Sequence, residues 1–189
     1  MTDKKIVYRI IRSRRKTLAL GVDADGVTVR APFFARKADI DRFVEAHREW
    51  INERAGRIRC KQELAAEAGT LSEAEIKELA KKAAAVIPER AAFYAAQIGV
   101  TYGRITIRSQ RTRWGSCSSK GNLNFNCLLM LAPPEVLDSV VVHELCHRKE
   151  MNHSQKFYKE VLRVFPDYKK WHKWLRDNGD VLLARLPEK

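Results

Sequence analysis

Three short apolar runs open the chain, Ile6 to Ile11, Thr17 to Val22 and Val27 to Ala31, and each reads as a strand. Asp23-Ala24-Asp25-Gly26 separates the last two and suits a tight reversal between antiparallel neighbours, so a small β-meander is expected. From about Ala35 the period lengthens to that of a helix, with Ile40, Phe43, Val44, His47, Trp50 and Ile51 at the i, i+3, i+4 recurrence. His47 lies on that apolar stripe and reads as a core or rim residue rather than a ligand. Residues Arg57 to Ala68 are charged and alanine-rich without a clear apolar face, as expected of a helix end or a linker before Gly69. The chain is therefore divided into an N-terminal part, 1–68, and a second part, 69–189.

The second part opens on Ser72-Glu73-Ala74-Glu75, a capping-box pattern. A long helix follows, with Ile76, Leu79, Ala83, Ile87, Tyr94 and Ile98 on one face, a possible kink at Pro88 and a stop at Gly99. Two strands are expected next, Arg104 to Arg108 and Asn122 to about Leu128. In the second, Leu123, Phe125 and Cys127 alternate with Asn122, Asn124 and Asn126, which implies one buried and one polar face. Pro133 and Pro134 open a helix through about Glu150, Ser154 caps another through Val164, and Asp167 starts a last one ending at Gly179. Phe157, Val161 and Val164, and then Trp171, Trp174 and Leu175, read as core stripes. Strands and helices in separate runs make the fold class α+β.

Composition narrows the setting. The chain is 45% hydrophobic and 31% charged, as a soluble globular protein is, and no apolar run is long enough to span a membrane. The four cysteines show no CxxC pairing, and with no export signal they read as reduced thiols in a cytoplasmic protein. Lys and Arg outnumber Asp and Glu by 36 to 23, a net charge of +13. That excess fits either a solubility charge or a polyanionic partner such as nucleic acid.

The strongest chemical signal is His143-Glu144-Leu145-Cys146-His147, an HExxH pattern. At about 100° per residue the two histidines stand about 40° apart on the helix and one turn apart, so both imidazoles reach one metal ion. Glu144 projects close enough to contact the metal's water without being a ligand. Val136, Val140, Val141 and Leu145 make this helix apolar nearly all round, so it is expected to be central. A buried helix holding two histidines and a glutamate needs compensation for their desolvation, and zinc ligation supplies it. Catalytic zinc takes three protein ligands and leaves a position for water. His153 is the expected third, because its spacing matches HExxHxxGxxH zincins at every histidine and at the glutamate. Glu150 replaces the glycine of that pattern, and Asn152 is the candidate for a left-handed turn instead. Should His153 be only a loop residue, Glu150, Glu160, Asp167 and His172 are the reserve ligands.

Arg113-Trp114-Gly115-Ser116-Cys117, Asn124-Phe125-Asn126, the HELxH helix, Asn152-His153-Ser154 with Phe157, and Pro166-Asp167-Tyr168 together resemble the YgjP-like metallopeptidase-domain family, related to SprT-like zinc peptidases. Arg14-Arg15-Lys16, Asp25-Gly26, Ala31-Pro32 and Trp50-Ile51 extend the resemblance over nearly the whole chain. It implies a zincin-like domain built on the HExxH helix with a small mixed sheet, zinc ligands at His143, His147 and His153, and a catalytic Glu144. It also implies that Trp114 and its neighbours line the cleft, against the alternative of a core anchor in a turn. Arg111 and Arg113 are candidates to hold a substrate carboxylate or phosphate, or else form a solvated strand end. The polar edge near Asn124 and Asn126 is a candidate platform for an extended peptide. The expected function is peptide hydrolysis by Glu144-activated, zinc-bound water. Hydrolysis of a nucleoside triphosphate to pyrophosphate at the same site is the alternative, and a nucleic-acid-binding module with structural zinc is the third.

Overall fold

The computed structural model describes residues 6–187. The chain forms two compact units, Met1–Leu64 and Ala65–Lys189. Among the described residues no helix is long and apolar enough to cross a membrane.

In the first unit, strands β1 (Tyr8–Ser13), β2 (Ala19–Asp23) and β3 (Gly26–Pro32) precede helices α1 (Lys37–Ala46) and α2 (Arg48–Ala68), the latter running past the unit's last residue. Val29, Ala31, Ile40, Val44 and Ile51 are its buried core. β2 and β3 form the expected hairpin, closed at Gly26 with φ 113°, a value open to glycine. The third strand departs from a meander: the order is β1-β3-β2, with β1 parallel to β3. The link Arg14 to Leu18 holds no Gly, Asn or Asp to make a tight turn, so β1 and β2 flank β3 instead of pairing with each other. His47 ends α1, exposed, with Nδ1 on the Phe43 carbonyl, so it is a cap rather than core. Arg57 to Ala68 are helical throughout.

The second unit is α+β. Helix α3 (Glu73–Ile98) opens on the full Ser72–Glu75 capping box, continues through Pro88 and ends at Gly99 in the left-handed conformation. Strands β4 (Ile105–Arg108), β5 (Gly115–Cys117) and β6 (Leu123–Asn126) form a mixed sheet of order β4-β6-β5. β6 is the middle strand, parallel to β4 and antiparallel to β5, so it has no open edge for a further strand; β4 and β5 are the two outer strands. Three residues of glycine, serine and cysteine carry no alternation, which is why β5 is silent in the hydropathy pattern. A 3₁₀ turn over Cys127–Leu131 leads to α4 (Pro134–Cys146), then α5 (Gln155–Val164), capped by Ser154, and α6 (Tyr168–Ala184).

Two lengths differ from expectation. α4 ends at Cys146 rather than near Glu150, and α6 runs straight through Gly179. Gly179 is buried because Trp114 lies against it: a Cβ there would stand 3.1 Å from the indole. A glycine chosen for close approach reads, in sequence, like a helix stop.

α4 lies in the middle of the larger core, and its position is tied to α3 by a polar contact. Arg90 Nε and Nη2 donate to the two Asp138 oxygens at 2.7 and 2.6 Å, and the Tyr94 hydroxyl donates to Asp138 at 3.1 Å. Asp138 is 8% exposed, and those partners offset the cost of burying it. Asp138→Ala is expected to destabilise the protein by about 2–3 kcal/mol in urea denaturation, the worth of hydrogen bonds to a charged group. Beside α4, Glu160 on α5 is held down to about 2 by Arg163 and Lys149. A depressed carboxyl stabilises above its unfolded pKa, so this contribution should be complete above about pH 4.5 and lost on acidification towards about 2. The stability gap between the parent and Glu160→Gln should close over that range.

Candidate metal site and active-site cleft

Helix α4 delivers His143 and Glu144 from its last turn, and His147 follows as the C-cap with φ −62° and ψ −15°. The chain then tightens: the amides of Arg148, Lys149 and Glu150 donate to Leu145, Cys146 and Cys146 carbonyls at 2.9–3.0 Å. His153 comes back over the helix end, just before Ser154 caps α5 by accepting from the Phe157 amide at 3.3 Å. No described residue other than glycine has a positive φ, so Asn152 makes no left-handed turn.

The result is a cluster in which one nitrogen from each of His143, His147 and His153 lies within 4.8 Å of the others. Nε2 of His143 and Nε2 of His153 are 3.0 Å apart. The far sides of two rings are fixed. His147 Nδ1 is 3.1 Å from the Glu150 carbonyl, and a carbonyl only accepts, so Nδ1 carries the proton and Nε2 is left as a lone pair. His143 Nδ1 is 2.8 Å from the Tyr168 hydroxyl, which in turn lies 3.3 Å from His172 Nδ1. Behind the cluster is Phe157, fully buried, its ring 4.7–4.9 Å from all three imidazoles. Phe157, legible in sequence only as a core residue, is the surface on which the three rings are packed.

Electrostatics favour neutral imidazoles. Burial, with the neighbouring histidines, pushes His143 down to about 3, and burial likewise lowers His147. Neutral imidazole is the form that ligates a metal. Glu144 is 6% exposed, and burial pushes its carboxyl up to about 7. Gly115, on β5, backs this carboxyl: a Cβ there would stand 2.7 Å from Glu144 Cγ and Oε1.

A cavity of about 240 Å³ opens beside Glu144, walled by Trp114, Gly115, Val140, His143, Tyr168 and Leu175, with Arg113 at its mouth. The loop carrying Arg113 and Trp114 is held by Asn126, which is 2% exposed: its amide donates to the Gln110 and Arg113 carbonyls at 2.7 and 3.0 Å. Arg111 turns away, donating to the Leu186 carbonyl at 2.5 Å. Asn124 donates to Ser116 Oγ at 3.1 Å and so supports β5. The reserve ligands lie outside the histidine cluster. Glu160 is engaged by Lys149 and Arg163, His172 by Tyr168, and Glu150 contributes its backbone carbonyl. All four cysteines are free thiols, and burial raises Cys117, Cys127 and Cys146.

No curated protein matches the chain. Two crystal structures of metallopeptidase zymogens are similar in part: Pyrococcus abyssi abylysin, at 20% identity over 48% of this chain and 93% of that one, with a TM-score of 0.44, and Methanocaldococcus jannaschii jannalysin, at 21% identity, the same coverages and a TM-score of 0.43. A family model described as YgjP-like, metallopeptidase domain, matches residues 61–178, a span that contains the histidine cluster, Glu144 and the Trp114-Gly115 wall. With well over half of its length matched, the chain belongs to the YgjP-like metallopeptidase-domain family.

Proposed function

We propose that this chain is a zinc-dependent peptidase in which His143, His147 and His153 hold the metal and Glu144 moves the proton. The observation that carries the reading is the convergence of three imidazole nitrogens within 4.8 Å beside a buried carboxyl. The donor set fits zinc: three imidazoles, two of them pushed towards the neutral form by burial and one of these with its tautomer fixed towards the cluster, make the three-ligand arrangement that leaves a position open for chemistry. When bound there, zinc would supply Lewis-acid polarisation of a carbonyl and a water acidified towards neutrality.

The chain's own groups do the rest. Glu144 takes a proton at its carboxylate and returns it to the leaving amine, and a carboxyl whose affinity for protons is raised by burial is suited to both tasks. Gly115 leaves the room in which that side chain lies. The edge strand β5, which starts against Glu144, is the place for an extended peptide to add as a strand, a role the inner strand β6 with Asn124 does not offer. Arg113 and Trp114 contact the substrate from the cavity's mouth and wall, while Arg111 serves the loop's attachment to Leu186.

Metal analysis should find one zinc per chain in the parent, none in His143→Ala or His147→Ala, and weakened binding in His153→Ala. Unchanged zinc in the first two would remove the site assignment. Glu144→Gln should keep zinc near one per chain while peptide hydrolysis falls by roughly 10²-fold or more. Full turnover in that variant would end the hydrolase reading, and pyrophosphate release from a nucleoside triphosphate without any peptide cleavage would end the peptidase reading.

Gly115→Ala tests the wall. Its new methyl group would overlap Glu144, so the carboxyl must swing away. Zinc content should persist while turnover drops at least tenfold, the effect of misplacing a proton-transfer group by about an ångström. Parent-level activity in Gly115→Ala would show that Glu144 does not act from this position.

A further inference from the structure

A second depression borders the histidine cluster. It is a groove of about 380 Å³ between α5 and α6, floored by Tyr158, Leu162 and Tyr168 and rimmed by Lys169, Lys173 and Arg176. Its walls are shared with the site. The Tyr158 ring stacks 6.2 Å from His153, the Tyr168 ring 6.0 Å from His143, and Tyr168 with His172 lines both this groove and the cavity beside Glu144. A substrate chain crossing the three histidines therefore reaches the groove within a residue or two.

Its chemistry is one-sided. Three cations and no carboxylate line it. Asp177 pairs with Lys173 and, at 3.8 Å, with Arg176, but all three side chains are largely in solvent, so these pairs are weak and yield to a better-placed partner. Arg176 acts on the site beside it: burial first, then the Arg176 charge, lowers His172. The floor is apolar. Cationic heads over an apolar floor match a side chain with an aliphatic stem and an anionic tip.

Resting on the peptidase reading, we propose that this groove is a substrate subsite that selects an acidic side chain, glutamate above all, close to the bond to be cut. The methylenes of the glutamate lie on Tyr158 and Leu162, and its carboxylate lies between Lys173 and Arg176, whose guanidinium offers a planar fork of donors. A nucleic acid strand fits less well, because base stacking needs a free aromatic face. Tyr168 is 3% exposed and stacked between His143 and His172, which leaves Tyr158, 41% exposed, as the one tyrosine with a free face, too few for a run of stacked bases.

The test is equilibrium binding to the zinc-loaded, full-length Glu144→Gln protein, which holds peptide without cutting it. Fluorescent decapeptides carrying Glu, Gln or Lys at one scanned position are compared by anisotropy, in the Glu144→Gln background and with Lys173→Gln and Arg176→Gln added. At the position that meets the groove, Glu should bind about five- to tenfold tighter than Gln, and Lys weakest, with the preference shrinking in high salt. It should fall towards one in the double-cation variant. In the parent enzyme the same preference should appear in KM rather than kcat. Equal affinities at every position, or a glutamate preference that survives loss of both cations, would overturn the subsite. So would a single-stranded oligonucleotide that outcompetes the Glu peptide and depends on the same two cations. If the parent cleaves no peptide yet the cation-dependent glutamate preference persists, the groove stands and the peptidase reading is what fails.

Discussion

Nearly every side chain of α4 is buried, yet the helix carries Asp138, His143, Glu144 and the adjoining His147 into the core of its unit. A buried ionisable group must be paired, or must give up its charge, and each of these four is settled in a different way. Asp138 is paired, because α3 brings Arg90 and Tyr94 to it. His143 is held neutral, its outer nitrogen on the Tyr168 hydroxyl from α6. His147 is oriented by a backbone carbonyl three residues on. Glu144 is left with a raised proton affinity and a clear space in front of β5. The neighbouring elements are placed by what this one helix needs.

Two glycines transmit that placement from α6 to the carboxyl. Gly179 has no side chain, so the Trp114 indole packs directly on the α6 backbone. Trp114 then anchors a loop already fastened by Asn126, and the next residue, Gly115, starts β5 at the point where Glu144 needs room. A bulkier residue at either glycine presses along the same line, from α6 through the indole to the Glu144 carboxyl. The aromatic residue and the glycine beside it thus form one device, with the indole fixing the strand and the glycine opening it.

The elements with a strong period were legible in sequence. The Ser72–Glu75 cap, the stop at Gly99, the start of α4 at its prolines and the Ser154 cap follow from local chemistry that tertiary packing does not override. Departures arise where long-range packing decides. β1 pairs across β3 although the residues linking it to β2 say nothing of strand order. β5 is three residues without alternation, and its existence depends on β6. Gly179 is a contact with a tryptophan 65 positions away, invisible to any local pattern. At the site, the histidine spacing already implied that His143 and His147 converge, and the structure brings His153 to the same point. The groups behind those rings, Tyr168, the Glu150 carbonyl and Phe157, come from a helix, a turn and a cap with no shared spacing.

The turn after α4 shows why Glu150 can occupy a position that is glycine in the longer zincin pattern. Glycine is needed where φ is positive, and no described residue other than glycine has such a φ, so Glu150 and Asn152 pass through this turn without strain. The turn is made instead by continuing helical-type bonds past the end of α4, from the amides of Arg148, Lys149 and Glu150. That geometry points the Glu150 carbonyl back at His147 Nδ1, which fixes the imidazole's proton on the outer nitrogen and leaves the inner one free to ligate. What the position contributes is therefore a backbone oxygen, which every residue type possesses, and the side chain above it is under no demand from the histidine cluster. The same tightening shortens the path to His153, so the third imidazole arrives over the end of the helix rather than beyond it.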